Sequence, residues 1–211
     1  MLPQQVTPMH ATGGALKSIA SNLIIFKKKR TLTHLAISAP IFQAIKESCS
    51  MPTFPENVLD LLNANMGGFN EAVGLRFVKA EPDEYVAEIS ITDQHLQPYG
   101  LVHGGVYAGM IETLCSTGAA LTVWEENKST VGLENNTSFL KAVRGGRLRC
   151  TARPLVLGKR SQVWEASIHD DADRLVATGR VRLLVLEPGA QAAGAKVEMQ
   201  TDASGPNPHL P

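Results

Sequence analysis

The segment Gln97-Pro-Tyr-Gly-Leu-Val-His103-Gly104-Gly105, followed by Val-Tyr-Ala-Gly-Met-Ile-Glu112-Thr-Leu-Cys-Ser116, brings an amide, an imidazole, a carboxylate and a hydroxyl together in one short stretch. Two glycines open an apolar run that carries a single acid. The first turn of a helix offers backbone N–H groups without intrahelical partners to an anionic oxygen, and a carboxylate such as Glu112 supplies a base or a nucleophile. An oxyanion binder together with a base or nucleophile is what acyl transfer requires.

The element that must position these groups is a helix. Met110, Ile111, Leu114, Ala119 and Leu121 recur near helical spacing and no proline interrupts before Trp124, which predicts one helix from residue 104 to about 122. So apolar a helix is expected to be buried nearly all round. In its middle Glu112 has two readings: a carboxylate solvated on a wet face or paired with an arginine, or a buried reactive group. At 1.5 Å rise per residue Gly104 and Glu112 lie roughly 12 Å apart along the axis, too far for one chain to aim both at one carbonyl carbon. Two antiparallel copies related by a two-fold axis would bring the Gly104 end of one against the Glu112 turn of the other, so shared sites in a homodimer are expected.

The ordered set Gln97, His103-Gly104-Gly105, Glu112 resembles the active-site segment of hotdog-fold acyl-CoA thioesterases of the phenylacetate-degradation type. The branch it is most similar to contains the 4-hydroxybenzoyl-CoA and 1,4-dihydroxy-2-naphthoyl-CoA thioesterases. The resemblance spans residues 68 to 187, through Val131-Gly-Leu-Glu-Asn-Asn-Thr-Ser-Phe-Leu-Lys-Ala142 and Leu155-Val-Leu-Gly-Lys-Arg-Ser-Gln-Val-Trp164. It implies an α+β hotdog fold, one long central helix wrapped by an antiparallel sheet. It also implies a homodimer, or a dimer of dimers, acting on an aromatic or medium-chain acyl-CoA with CoA as part of the substrate and no separate cofactor.

By that resemblance the Gly104 N–H polarises the thioester carbonyl, while Glu112 attacks it or activates water. Gln97, His103 and Ser116 are implied as further catalytic-site residues; their side chains can hold the carbonyl, the lytic water or the carboxylate. Gly105, Gly132, Phe139, Leu140, Lys141, Ala142, Val156, Leu157, Gly158, Lys159, Arg160 and Ser161 are implied as substrate contacts. Phe139 departs from the pattern: the naphthoyl-CoA enzymes have histidine there, so their acyl group does not transfer to this chain. Lys141, Arg144, Arg147, Lys159 and Arg160 are the cations expected to meet the CoA phosphates. A non-catalytic acyl-CoA-binding or regulatory dimer is the alternative, against which the complete Gln97, His103 and Glu112 set argues. A dehydratase would need aspartate and histidine at another spacing.

Composition suits one domain with tails: 211 residues, 44% hydrophobic, with 20 acidic and 20 basic side chains. The charge is uneven, because Lys17, Lys27, Lys28, Lys29, Arg30 and Lys46 precede the first acid, Glu47. The acidic remainder argues against nucleic-acid binding. Cys49, Cys115 and Cys150 follow no metal or redox spacing, and the histidines form no zinc pattern, so free thiols, no metal and a cytoplasmic location are expected. Cys115 is read as a core residue and not a nucleophile, since burial suppresses the thiolate.

Residues 1–55 read as a basic, poorly ordered leader; Leu16, Ile19, Leu23 and Ile24 make a short amphipathic series for which membrane contact is conceivable but not favoured. Residues 56–187 form the domain, and the Ala, Gly and Pro-rich tail of 188–211 is expected to be disordered. Within the domain, Glu56 to Met66 reads as a helix closed by Gly67-Gly68. Leu75 to Ala80 and Tyr85 to Thr92 read as a hairpin, and Val131 to Val143, Arg147 to Leu157, Ser161 to His169 and Arg174 to Leu186 as further strands. Short turns between them predict that successive strands are antiparallel neighbours.

Overall fold

Alternating apolar and polar residues produce six strands: β1 (Arg76–Glu81), β2 (Glu84–Ser90), β3 (Ser129–Phe139), β4 (Arg147–Leu157), β5 (Ser161–His169) and β6 (Leu175–Leu186). The computed structural model describes Phe54, residues 56–192 and residues 194–197, so the leader's amphipathic series and basic run lie outside the described residues. The six strands form one antiparallel sheet in the order β1-β2-β4-β5-β6-β3. Helix α3 (Gly104–Leu121) lies against it, preceded by the short helices α1 (Val58–Ala64) and α2 (Gly67–Ala72). This is the α+β arrangement of one sheet around one long helix.

The expectation that successive strands pair holds for β1 with β2 and along β4, β5 and β6. It fails at Gly145-Gly146: β3 pairs with β6, and β4 pairs with β2. The reason is the helix, which carries the chain from β2 across the sheet to its far edge, leaving the place beside β2 to β4. β3 also ends at Phe139, earlier than expected, because the N–H groups of Leu140 and Lys141 both turn to the Val176 carbonyl and lead the chain off the sheet.

Two other expectations are corrected. The helix expected over 56–66 stops at Ala64 and α2 follows, beginning at Gly67 with φ +70°. Asn63 explains the interruption, since its side chain donates to the Phe77 carbonyl and accepts the Phe77 N–H, both at 2.9 Å, tying the end of α1 to β1. The tail does not become irregular at Pro188, for β7 (Gln191–Ala192) pairs with β8 (Ala195–Lys196), and Ser129 Oγ donates to the Val197 carbonyl at 2.6 Å. Residues from 198 onward lie outside the described residues.

The core lies between the sheet and one face of α3. Tyr107, Met110, Ile111, Leu114, Cys115, Gly118 and Ala119 are buried there, against Tyr85, Ile89, Leu148, Trp164, Ile168 and Leu183. Gly118 admits the Trp164 ring, because a Cβ at that position would stand 2.5 Å from it. Trp164 Nε1 donates to Gln162 Oε1 at 2.9 Å and Gln162 Nε2 to Thr122 Oγ1 at 2.8 Å, which satisfies the buried amide and holds the end of α3 to β5.

The helix is not buried all round. Ala108, Gly109, Glu112, Thr113, Ser116, Thr117 and Ala120 follow each other at helical spacing and are only half-buried. One sheet covers one side of a helix, and this second stripe, built of small and polar residues, is covered only in part: Phe69 of α2 stands against Gly109, Thr113 Oγ1 donates to Asn70 Oδ1 at 2.7 Å, and Asn135 of β3 reaches Glu112. Among the described residues no helix is long and apolar enough to cross a membrane.

Candidate active site

The turn before α3 and the first turn of α3 make the first half of the site. His103 is the N-cap, extended at φ −66° and ψ 137°, and its Nδ1 accepts the Gly105 N–H at 2.9 Å. The His103 N–H donates to the His95 carbonyl at 2.8 Å, fixing where the helix begins. With the Gly105 N–H used by the cap, that of Gly104 remains without a partner among the described residues. It is thus the helix-start donor available to a carbonyl oxygen. Gly105 is accordingly part of the cap, with its N–H engaged there.

Gly104 and Gln97 line a cleft of about 280 Å³ together with Leu101, Val102, Tyr107, Phe139, Leu140, Lys141 and Ala142. The Phe139 ring lies directly on Gly104, where a Cβ would stand 2.8 Å from Cζ, and its centroid is 5.9 Å from that of Tyr107. Any side chain at position 104 would therefore collide with that ring. The Tyr107 hydroxyl is buried without a partner among the described residues. Burial raises its pKa, and the charge of Asp170 adds to the effect.

Glu112 makes the second half and does not line that cleft. Its Oε1 accepts Ser116 Oγ at 3.1 Å, and its Oε2 accepts Asn135 Nδ2 at 2.9 Å. Asn135 Nδ2 also donates to the Ala108 carbonyl at 3.1 Å, while Asn135 Oδ1 accepts Thr137 Oγ1 at 2.6 Å, so the amide is held with its NH2 towards the carboxylate. Gly132 leaves room for this acid: a Cβ there would stand 2.7 Å from Glu112 Oε1. Glu112 is half-buried, is partnered on both carboxylate oxygens and lies on the second stripe of α3. Cys115, its neighbour, is fully buried and its thiol pKa is pushed well up, first by burial and then by the charge of Glu112, which suits the core role and not a nucleophile.

The remaining candidates separate into two places. Phe139, Leu140, Lys141 and Ala142 stand with Gly104 in the cleft. Val156, Leu157, Gly158, Lys159, Arg160 and Ser161 form the end of β4, the turn and the start of β5, beside the C-terminal end of α3, where Gln162 reaches Thr122. The helix of 18 residues separates these groups by roughly 27 Å at 1.5 Å per residue. The expected group of five cations is therefore divided. Two of its members are also engaged elsewhere: Arg144 Nη1 donates to the Tyr99 and Gly100 carbonyls, and Arg147 pairs with Glu88 and Asp171.

Comparison with known proteins agrees with this architecture. Residues 99–177 match the thioesterase superfamily profile. A protein of Mycobacterium tuberculosis (strain ATCC 25618 / H37Rv) that carries the name of an esterase is 43% identical over 121 residues, which are 56% of this chain and 86% of that protein. The chain belongs to the thioesterase superfamily. The 1,4-dihydroxy-2-naphthoyl-CoA hydrolase of Escherichia coli (strain K12) is 36% identical over 132 residues, covering 61% of this chain and 94% of that enzyme. The solved structure of a Haemophilus influenzae thioesterase superposes with a TM-score of 0.58 at 30% identity, covering 65% of this chain and 94% of the other. This thioesterase has the hotdog fold and is a thioester hydrolase.

Asn135 was not singled out from the sequence of this thioesterase, although it lies within a run that carries the resemblance. Nothing local in the sequence marks it, because its contact with Glu112 joins β3 to α3 across 23 residues. Asn135→Ala removes the donor to Glu112 Oε2 and is expected to lower kcat about tenfold, because a carboxylate released from one anchor samples unproductive positions. Steady-state kinetics on any hydrolysed thioester checks this. An unchanged kcat would mean that Ser116 alone holds the acid.

Proposed function

We propose that this thioesterase hydrolyses an acyl-CoA to free acid and CoA, in sites that two copies of the chain share. The observation that carries the reading is the division of one set of chemical groups between two places on α3. The Gly104 N–H and Gln97 stand in a cleft at the helix start, while Glu112, held by Asn135 and Ser116, opens on the half-buried second face. Two helices meeting antiparallel on that face place Glu112 of one copy against the cleft of the other. The same pairing brings Lys159 and Arg160 towards Lys141, so the divided cations converge on one CoA. Pairing of two such dimers and a cytoplasmic location belong to this reading.

The chemistry follows from a thioester carbonyl placed at the Gly104 N–H. That donor stabilises the negative charge that develops on oxygen as the carbon becomes tetrahedral, which favours the transition state over the substrate. As general base, Glu112 takes a proton from water, the oxygen adds to the carbonyl carbon, and collapse breaks the carbon–sulfur bond, the thiolate taking the proton back. As nucleophile, Glu112 forms an anhydride on loss of the thiolate, and water then hydrolyses it. Gln97 donates to the carbonyl or orients the water, Ser116 holds the carboxylate, and His103 acts through the cap that exposes Gly104.

Leu101, Val102, Phe139 and Leu140 make the cleft apolar, and a space of about 280 Å³ suits an aromatic or medium-chain acyl group. Thiol release measured over a panel of acyl-CoAs tests the proposal. Benzoyl, phenylacetyl, hexanoyl or octanoyl thioesters are expected to exceed palmitoyl-CoA at least about tenfold in kcat/KM, an effect of the size expected when a few methylenes no longer fit. A preference for long chains would overturn the substrate class. Binding of the whole panel without any thiol release would favour a regulatory acyl-CoA-binding dimer instead.

A further inference from the structure

We propose that Arg144 is a positioning residue for hydrolysis: its guanidinium fixes the turn that presents Gln97 to the cleft. This rests on the role of Gln97 in the proposed thioester hydrolysis. The turn is closed by the Gln97 N–H donating to the Leu101 carbonyl and the Gly100 N–H to the Gln97 carbonyl, each at 2.8 Å, and by a bridge between Leu96 and Val102. Those contacts leave the Tyr99 and Gly100 carbonyls without a backbone partner among the described residues, at a tip where Tyr99 is 80% exposed. Arg144 Nη1 donates to both, at 3.1 Å and 3.2 Å. One charged donor thus holds two successive carbonyls, two and three residues from the amide that must be aimed.

The clamp has a fixed base and a matched partner. Val143, immediately before Arg144, is buried and its carbonyl accepts the Val102 N–H at 2.8 Å, so the segment between β3 and β4 that carries the arginine is tied to the far side of the same turn. Gly100 has φ +68°, a conformation that L side chains rarely adopt, and a Cβ there would stand 3.2 Å from Arg144 Nη1. A side chain at position 100 would therefore strain the turn and press on the guanidinium at once. No carboxylate pairs with Arg144 among the described residues, whereas Arg147 beside it pairs with Glu88 and Asp171. The sequence makes Arg144 one of several phosphate-binding candidates; its geometry directs its charge to the backbone of the Gln97 turn.

A double-mutant cycle between Arg144 and Gln97 tests this, with an acyl-CoA and the corresponding acyl-pantetheine, which lacks the nucleotide phosphates, as paired substrates. Arg144→Ala is expected to lower kcat about fivefold to tenfold, with KM changed less than about twofold and equally for the two substrates, since a misplaced group slows the chemical step more than binding. Arg144→Lys recovers part of the loss. In a Gln97→Ala background, Arg144→Ala and Gly100→Ala should each cost less than about a further twofold, because the group they position is gone. Fully additive effects would overturn the proposal. So would a rise in KM confined to acyl-CoA, which would place Arg144 on the phosphates. A Gln97→Ala enzyme with wild-type kcat would overturn the role of Gln97 itself, and the clamp's role in catalysis with it.

Discussion

Replacing Glu112 by alanine is expected to reduce kcat for thioester hydrolysis about a thousandfold or more, while the protein remains folded and assembled. A loss of that size, on the order of 4 kcal/mol, follows because the neutral Ser116 and Asn135 that flank the acid cannot replace a carboxylate as base or nucleophile. Cys115, the neighbouring nucleophile by residue type, is fully buried with its thiolate disfavoured, so it gives no bypass. Folding is retained because alanine is the best helix former, and the shorter side chain creates no clash at Gly132. Asn135 and Ser116 lose a partner, but neither is buried, so both can turn to water.

Glu112→Asp keeps the charge and withdraws it by roughly an ångström, and should cost one to two powers of ten in kcat, as displacements of reacting groups by that distance do. Thiol release and thermal melting of the same preparations check both variants. Activity of Glu112→Ala within tenfold of wild type would remove Glu112 from the mechanism.

The second large effect is a gain. Glu112→Ala chains and chains carrying Gln97→Ala with His103→Ala should each be nearly inactive alone, and mixtures should recover activity after dissociation and reassembly. Each mixed dimer then holds one site damaged on both sides and one with Gln97, His103 and Glu112 all intact. Random pairing of equal amounts makes half the dimers mixed, so about a quarter of wild-type sites return. The prediction rests on the axial separation of Gly104 and Glu112, roughly 12 Å at 1.5 Å per residue, and on the absence of Glu112 from the cleft that holds Gly104. If native mass spectrometry shows mixed dimers and no activity appears, each site lies within one chain and the antiparallel pairing of helices is wrong.

The chemical groups and the regular elements could be read from the residues alone. A glycine pair before an apolar run locates the start of α3, and the observed Gly104–Leu121 lies within one residue of the expected helix. Strands β4 and β5 begin and end where alternation and turn residues place them. Both signals are local: helix periodicity, strand alternation and the backbone preferences of glycine and aspartate act within a few residues. The order of chemistry-bearing residues carried the resemblance for the same reason, since spacing along one helix is already geometry.

What lay outside that reach involves partners distant in the chain. The place of β3 at the sheet edge depends on which strand the helix leaves room for, and a short Gly145-Gly146 link looks the same whether or not its flanking strands pair. The interruption between α1 and α2 comes from Asn63 binding the backbone of Phe77, a contact 14 residues away. The continuation of the tail depends on Val197 meeting Ser129 across 68 residues.

Residue type by itself determined that this protein carries an acid, an amide and a helix-start donor suited to acyl chemistry, because those capacities belong to the side chains and to the backbone of a glycine-led helix. Only the tertiary structure decided which groups hold them: Asn135 against Glu112, His103 on the Gly105 N–H, Arg144 on the Tyr99 and Gly100 carbonyls. Arg144 shows why. A guanidinium has the same charge whether it faces a phosphate or a carbonyl, and its partner is set by strand register and turn geometry, which no local preference specifies.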